Sequence, residues 1–125
     1  MLTLFGEIEP NSKNEFIPKI AAGFGGGMGR CGSVCGALTG SLWAVGIKYG
    51  SNEAGTEKQA KACAYANKLF RQFEKQQGTV FCRDLIKYDL SNPEEVAKAR
   101  QEKAFEKVCV NLIKAAVANF VELEK

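Results

Sequence analysis

Cysteine is the residue type in this sequence whose chemistry and spacing suggest a function. The chain has no histidine, which excludes a Ser-His-Asp triad, a histidine general base, histidine-ligated haem and most catalytic zinc sites. An odd number of widely spaced cysteines also argues against a secreted disulfide scaffold. Metal or redox chemistry based on thiolates is therefore the favoured interpretation. The five cysteines are Cys31, Cys35, Cys63, Cys82 and Cys109.

Cys31 and Cys35 are four residues apart in a segment that we expect to be helical. Side chains with this spacing share one face of a helix, with Cβ atoms about 5–6 Å apart. That separation suits two thiolates that share a metal ion, but a helix holds them too far apart for an easy disulfide. The spacing therefore favours a shared metal over a bond between these two sulfurs.

Cys82 stands directly before Arg83 at the expected start of a short helix. A neighbouring cation and a helix N-terminus both lower a thiol pKa, so Cys82 is the expected attacking thiol of a redox pair. Cys109 lies on the apolar face of the last predicted helix, and Cys63 on the apolar stripe of an earlier one. Because buried, inert cysteines are common, we expect Cys63 to be one of them.

A glycine-rich loop precedes the first helical cysteines. Five of the seven residues from 23 to 29 are glycine, so the backbone there either adopts positive φ or lies closely against another group. Main-chain N–H groups of Gly25, Gly26 and Gly27, next to Arg30, would form a spot that suits an anion or cofactor. Close packing of the loop is the favoured explanation, and the anion spot is kept as an alternative.

Helices are the elements that must position these residues. Residues 30–49 are apolar or small without alternation, and glycine recurs at positions 32, 36 and 40, so we predict a buried glycine-rich helix there. We expect Ile20 to point inward from the first helix and the mostly polar residues 94–104 to be exposed. Other helices are predicted over about 14–22, 56–77, 82–88 and 93–123, the last with a kink near 103.

These elements predict an all-α fold. At 125 residues the chain is expected to form a single helical domain, a bundle of four or five helices around the glycine-rich helix, with residues 1–12 as a loose N-terminal arm. The net charge of +3 is spread among acids and bases, which argues against nucleic-acid binding. No apolar run is long enough for a membrane span, and the start lacks the pattern of a secretory signal, so a cytoplasmic protein is expected.

Three segments together resemble a known family. The strings FGGGMGRCGSVCGALTGSLWAVGIKYG and CRDLIKYDL, followed by Cys109 in KVCVNLIKAAV, are similar to the C_GCAxxG_C_C family of redox-active proteins. The CGAxxG motif of the family corresponds to residues 35–40, and the resemblance covers about residues 14–120. It implies a small helical protein that is similar to a module of split-Soret cytochromes.

The resemblance also implies a site. Cys35, Cys82 and Cys109 correspond to the last three cysteines of the family, and their thiolates would converge on an iron–sulfur cluster or zinc, or cycle between dithiol and disulfide. The family has a further cysteine ahead of the glycine loop, whereas no cysteine precedes Cys31 in this sequence. We hypothesise that Cys31 partly replaces that ligand, so that the metal ligands would be Cys31, Cys35, Cys82 and Cys109.

Two classes of function stay open from the sequence. In the first, the converging cysteines make a redox or metal protein that works with an electron-transfer or metal partner. In the second, the protein is a non-enzymatic interaction module, in which the small-residue helix and the apolar N-terminal segment form a homodimer and the cysteines only fill the core. Cysteines more than about 7 Å apart between Cα atoms, each in an apolar pocket, would favour the second class over a disulfide.

Overall fold

Six α-helices follow one another in residues 17–123, the part of the chain that the computed structural model describes. The predictions for residues 1–12 lie outside it. A 3-10 turn follows α1, and a π-helical turn over Phe105–Cys109 leads into α6. The expected all-α fold is confirmed, and none of the six helices has both the length and the apolarity to cross a bilayer. The helices are α1 (Ile17–Ala21), α2 (Gly36–Tyr49), α3 (Glu57–Gln77), α4 (Cys82–Ile86), α5 (Pro93–Gln101) and α6 (Val110–Leu123).

The helix that occupies part of the predicted range 30–49 begins later than expected. α2 starts at Gly36 with Cys35 as its N-cap, and residues 30–35 are not helical. Arg30 and Gly32 have φ values of 65° and 73°, a left-handed backbone that a right-handed helix cannot contain. The prediction of a helix over 30–35 is therefore wrong, and Cys31 and Cys35 do not share a helix face.

The core lies between α2, α3 and α6. Leu38 of α2 and Leu69 and Phe73 of α3 are almost fully buried, and they pack with apolar side chains of α6. α3 begins and ends where the sequence predicts. The hydroxyl of Thr56 accepts the N–H of Gln59 at 3.2 Å, and Gly78 ends the helix with φ 85°.

The buried face of α3 differs from the predicted stripe. It is centred on Leu69 and Phe73, with Ala62 and Tyr65 extending it toward the start of the helix. Cys63 follows Ala62, and because successive helical residues are rotated by about 100°, its side chain lies off this face. Cys63 is exposed, so the prediction that it is buried is wrong.

A polar pair joins α3 to α6 at the edge of this core, between an exposed Gln76 and a buried Asn119. The side-chain amide of Gln76 donates to Asn119 at 3.1 Å, and the amide of Asn119 donates back to Gln76 at 2.9 Å. The reciprocal bonds satisfy the amide of Asn119, which is the condition for burying such a group without a large cost.

Three further predictions about the ends of the fold can be compared with the structure. Ile20 is 59% exposed, so its predicted inward direction is wrong. α5 begins as predicted, with Asn92 as N-cap accepting the N–H of Glu94 at 2.9 Å. One face of residues 94–104 is buried, through Val96, Ala99 and Ala104, so that section is only partly exposed. The expected kink near 103 is a break, because Lys103 has φ 58° between α5 and the π-helical turn.

Candidate thiol site

A short antiparallel pairing brings Cys35 and Cys82 together. Val34 and Phe81 form an isolated β-bridge, and the N–H groups of Cys35 and Cys82 each donate to a carbonyl of the opposite segment, at 2.8 and 2.7 Å. Alternate residues of paired segments share a face, so Cys35 and Cys82 lie on one face and Phe81 on the other. Their burial agrees, since both cysteines are buried whereas Phe81 is 48% exposed.

The two cysteines are diagonal neighbours across this pairing rather than direct partners. Diagonal residues in such a pairing are about 7–8 Å apart, which is longer than the Cα separation of an ordinary disulfide. A bond between the two sulfurs therefore requires a small local shift of one segment. The nearest point for such a shift is the loop before Cys35, which is not held in a helix.

Cys109 reaches the same region from the π-helical turn. It packs against the apolar cluster around Cys82, Ile86 and Ala104. The negative charges of Cys35 and Cys109 both raise the pKa of Cys82, and the charge of Cys35 raises that of Cys109, so the three thiols are close enough to interact electrostatically. The structure thus brings together Cys35, Cys82 and Cys109 from three separate elements.

Cys82 is not the activated thiol that the sequence predicts. Burial is the largest cause of a rise in its pKa to about 11, and the charges of Cys35 and Cys109 contribute to the same rise. The guanidinium of Arg83 points elsewhere, because its Nη2 donates to the carbonyl of Cys31 at 2.9 Å. The predicted lowering of the pKa is therefore wrong, since desolvation outweighs any effect of Arg83 or of the five-residue helix α4.

Among these three thiols, Cys35 is the one whose thiolate form is stabilised by backbone N–H groups. Burial raises the pKa of its thiol, but the N–H groups of Ala37 and Leu38 in the first turn of α2 oppose that rise. The sulfur forms no N-cap hydrogen bond of ordinary length, so the N–H groups act on it from slightly farther away. A thiol at the start of a 14-residue helix is a recognised position for a nucleophile. Burial likewise raises the pKa of Cys109, with the charges of Cys35 and Glu106 adding to the effect.

Cys31 lies apart from these three thiols. It is exposed, its sulfur is 3.9 Å from the carbonyl oxygen of Gly29, and it lines a shallow depression with Phe81 and Arg83. This depression is on the Phe81 side of the pairing, away from Cys35. The hypothesis that Cys31 replaces a missing ligand has no support from this placement. Within residues 17–123, no three cysteine or acidic side chains are arranged to hold a metal ion.

The glycine loop covers Cys82. A Cβ atom added to Gly27 would lie 2.7 Å from the Cβ of Cys82 and 2.6 Å from the backbone nitrogen of Ser33, so no larger residue fits at this position. Five consecutive residues, 26–30, have positive φ, including the non-glycine residues Met28 and Arg30. This backbone is uncommon outside glycine and occurs at sites where the surrounding structure enforces it.

The residues predicted to form an anion spot do not all face the same space. Gly27 packs against Cys82 as described, whereas Gly25, Gly26 and Arg30 line a cavity of about 620 Å³. Arg100 of α5 lines the same cavity and did not emerge from the sequence. The sequence contains one signal for Arg100. It lies four residues after Val96 in a helix whose start at Asn92 is unambiguous, so the two side chains share one face of that helix.

Comparison with known proteins assigns the chain to one family. The family described as "Putative redox-active protein (C_GCAxxG_C_C)" matches residues 1–123. No curated protein and no solved structure matches the chain significantly. The family match extends over nearly the whole sequence and contains the glycine loop as well as the three grouped thiols. The chain therefore belongs to the C_GCAxxG_C_C family of redox-active proteins.

Proposed function

We propose that the protein carries out thiol–disulfide exchange, with Cys35 as the attacking thiol and Cys82 as the resolving thiol. The observation that carries this proposal is the pairing that places both cysteines on one buried face, with Cys109 beside them. Cys35 attacks because its anion receives support from the first turn of α2.

The exchange requires a partner that carries a disulfide, and this disulfide is the oxidant. The thiolate of Cys35 attacks one sulfur of the partner disulfide, the other partner sulfur leaves as a thiolate, and a mixed disulfide remains. The thiolate of Cys82 then attacks the Cys35 sulfur and releases the second partner thiol. The partner gains two electrons, and the two protons lost by the cysteines end on its thiols. The product is a Cys35–Cys82 disulfide.

Burial of these thiols determines the pH dependence of the exchange. Because their pKa values are raised, the thiolate fraction near neutral pH is small, and the rate should rise steadily with pH through the alkaline range. A partner that displaces part of the covering glycine loop would increase access to Cys82. Slow reaction with small disulfides near neutral pH is therefore expected.

Alkylation trapping tests the pairing directly. The reduced protein is equilibrated with mixtures of oxidised and reduced dithiothreitol, quenched with iodoacetamide, and mapped by peptide mass spectrometry. We expect a Cys35–Cys82 disulfide, its loss in Cys82→Ser, and its persistence in the matched control Cys63→Ser, which alters an exposed cysteine. A dominant Cys35–Cys109 disulfide, or two free thiols at Cys35 and Cys82 under fully oxidising conditions, would contradict the proposed pair.

A second candidate function is a metal or iron–sulfur centre held by the same three thiolates. It is favoured by one observation, because thiols that raise one another's pKa gain stability when a cation replaces their protons. The described side chains do not fit a metal ion as they are arranged, so binding would require Cys35, Cys82 and Cys109 to move together. Anaerobic purification distinguishes the candidates: bound iron and visible absorbance support the centre, and colourless protein with a titratable dithiol supports exchange.

A further inference from the structure

We propose that the cavity between the glycine loop and α5 binds a small organic acid, a molecule with a phosphate or carboxylate group attached to an apolar body. The cavity measures about 620 Å³, which is within the range of small-molecule sites. A neighbouring depression of about 470 Å³ is lined by several of the same residues, including Arg30 and Arg100. The two arginines therefore stand where the two spaces meet.

The charge around this cavity suits an anion. Its described lining contains two arginines and no acidic residue. Arg71 forms an ion pair with Glu74 at 3.1 Å, but within residues 17–123 neither Arg30 nor Arg100 forms one. Two unpaired guanidinium groups on one cavity can donate hydrogen bonds to a phosphate or carboxylate in the planar geometry that such groups accept.

The backbone of the glycine loop adds donors to the same site. Gly26 and Gly29 both line the cavity, and within the described residues their N–H groups donate no hydrogen bond. Other N–H groups of the loop are used within it, since those of Met28 and Arg30 donate to the carbonyls of Phe24 and Gly25 at 3.2 and 3.1 Å. Gly26 also makes room for the arginine, since a Cβ there would lie 2.9 Å from the Cγ of Arg30.

The opposite wall supplies the apolar surface. It consists of Leu90, Val96 and Phe105, which belong to the apolar cluster that contains Cys82 and contacts Cys109. A ligand with an apolar body would therefore lie on the outer side of the cluster that surrounds two of the thiols. The polar and apolar walls together favour an acid with a hydrocarbon or aromatic body over an inorganic ion.

Titration of the reduced, full-length protein tests this site. Phenyl phosphate, benzoate, benzyl alcohol and inorganic phosphate are added separately while backbone amides are followed by nuclear magnetic resonance. We expect saturable shifts at Gly26 and Gly29 with at least one of the two aromatic acids, and the tighter one identifies the charged group. Benzyl alcohol and inorganic phosphate should bind at least about tenfold more weakly, because the alcohol lacks the acidic group and the phosphate lacks the apolar body.

Two variants test whether an arginine of the cavity binds the acid. Arg100→Gln should weaken binding of the preferred acid about tenfold while the thermal midpoint and the helical signal stay unchanged. The matched control Arg71→Gln removes an exposed arginine outside the cavity and should leave binding unaltered. Equal weakening by both variants, equal binding of benzyl alcohol, or no saturable shift at millimolar acid would overturn the proposal. Because binding is measured without thiol chemistry, failure of the exchange proposal does not affect this result.

Discussion

Replacing Gly27 with alanine should destabilise the protein and expose Cys82. The new Cβ would lie 2.6 and 2.7 Å from the backbone N and O of Ser33 and 2.7 Å from the Cβ of Cys82, and φ at this position is 72°. The left-handed backbone costs about 1–2 kcal/mol for a residue with a Cβ. Overpacking against rigid backbone adds about 1–3 kcal/mol. The expected loss is therefore about 2–5 kcal/mol, or roughly 8–20 °C in the thermal midpoint for a domain of this size.

Gly29→Ala is the matched control for this change. Gly29 has a similar φ of 61°, but the nearest atom to an added Cβ is 3.8 Å away, so only the backbone cost of about 1–2 kcal/mol applies. The entropy that alanine removes from the unfolded chain is the same in both variants and cancels. The difference between the two free energies of unfolding, measured by denaturant titration, then isolates the contact with Ser33 and Cys82.

Thiol reactivity gives a second measurement on the same variants. In the parent protein the exposed Cys31 and Cys63 should react quickly with a disulfide reagent, whereas Cys82 should react slowly. Gly27→Ala should speed the reaction of Cys82 because the loop can no longer lie on it, and Gly29→Ala should not. Equal stabilities and equal Cys82 rates in the two variants would show that the loop does not cover this thiol as described.

Three further predictions concern pH and individual contacts. The folded protein keeps the proton on Cys82 at pH values where the unfolded chain loses it, so the free energy of unfolding should fall as pH rises from about 9 to about 11, and Cys82→Ser should flatten this decline in denaturant titrations. Thr56→Ala removes the N-cap of α3 and should cost about 1 kcal/mol in the same assay, with Thr56→Ser nearly neutral. Gln76→Leu leaves the buried amide of Asn119 unpaired and should cost about 1–3 kcal/mol, and adding Asn119→Leu should recover part of the loss; simple additivity in this double-mutant cycle would contradict the pairing.

Local sequence signals determined most of the helices. The cap residues Thr56 and Asn92 and the terminator Gly78 identify α3 and the start of α5 correctly, because capping depends on residues within one turn of the helix end. The apolar face of α6 follows from its periodicity, and the all-α fold follows from the sum of such segments. The family match is likewise a property of the sequence alone, and it covers residues 1–123.

Tertiary structure determines which cysteines lie near one another and how deeply they are buried. The pairing that brings Cys35 to Cys82 joins segments more than forty residues apart through a single bridge, which is too short to leave an alternating pattern. The pKa of Cys82 depends on burial, and burial overrides the neighbouring arginine that the sequence shows. The positive φ values of residues 26–30 end the predicted helix and turn the loop over Cys82, since the fit of Gly27 against Cys82 exists only after the chain has folded. The residue types therefore predict thiol chemistry, whereas long-range packing determines which thiols lie near one another and how readily they ionise.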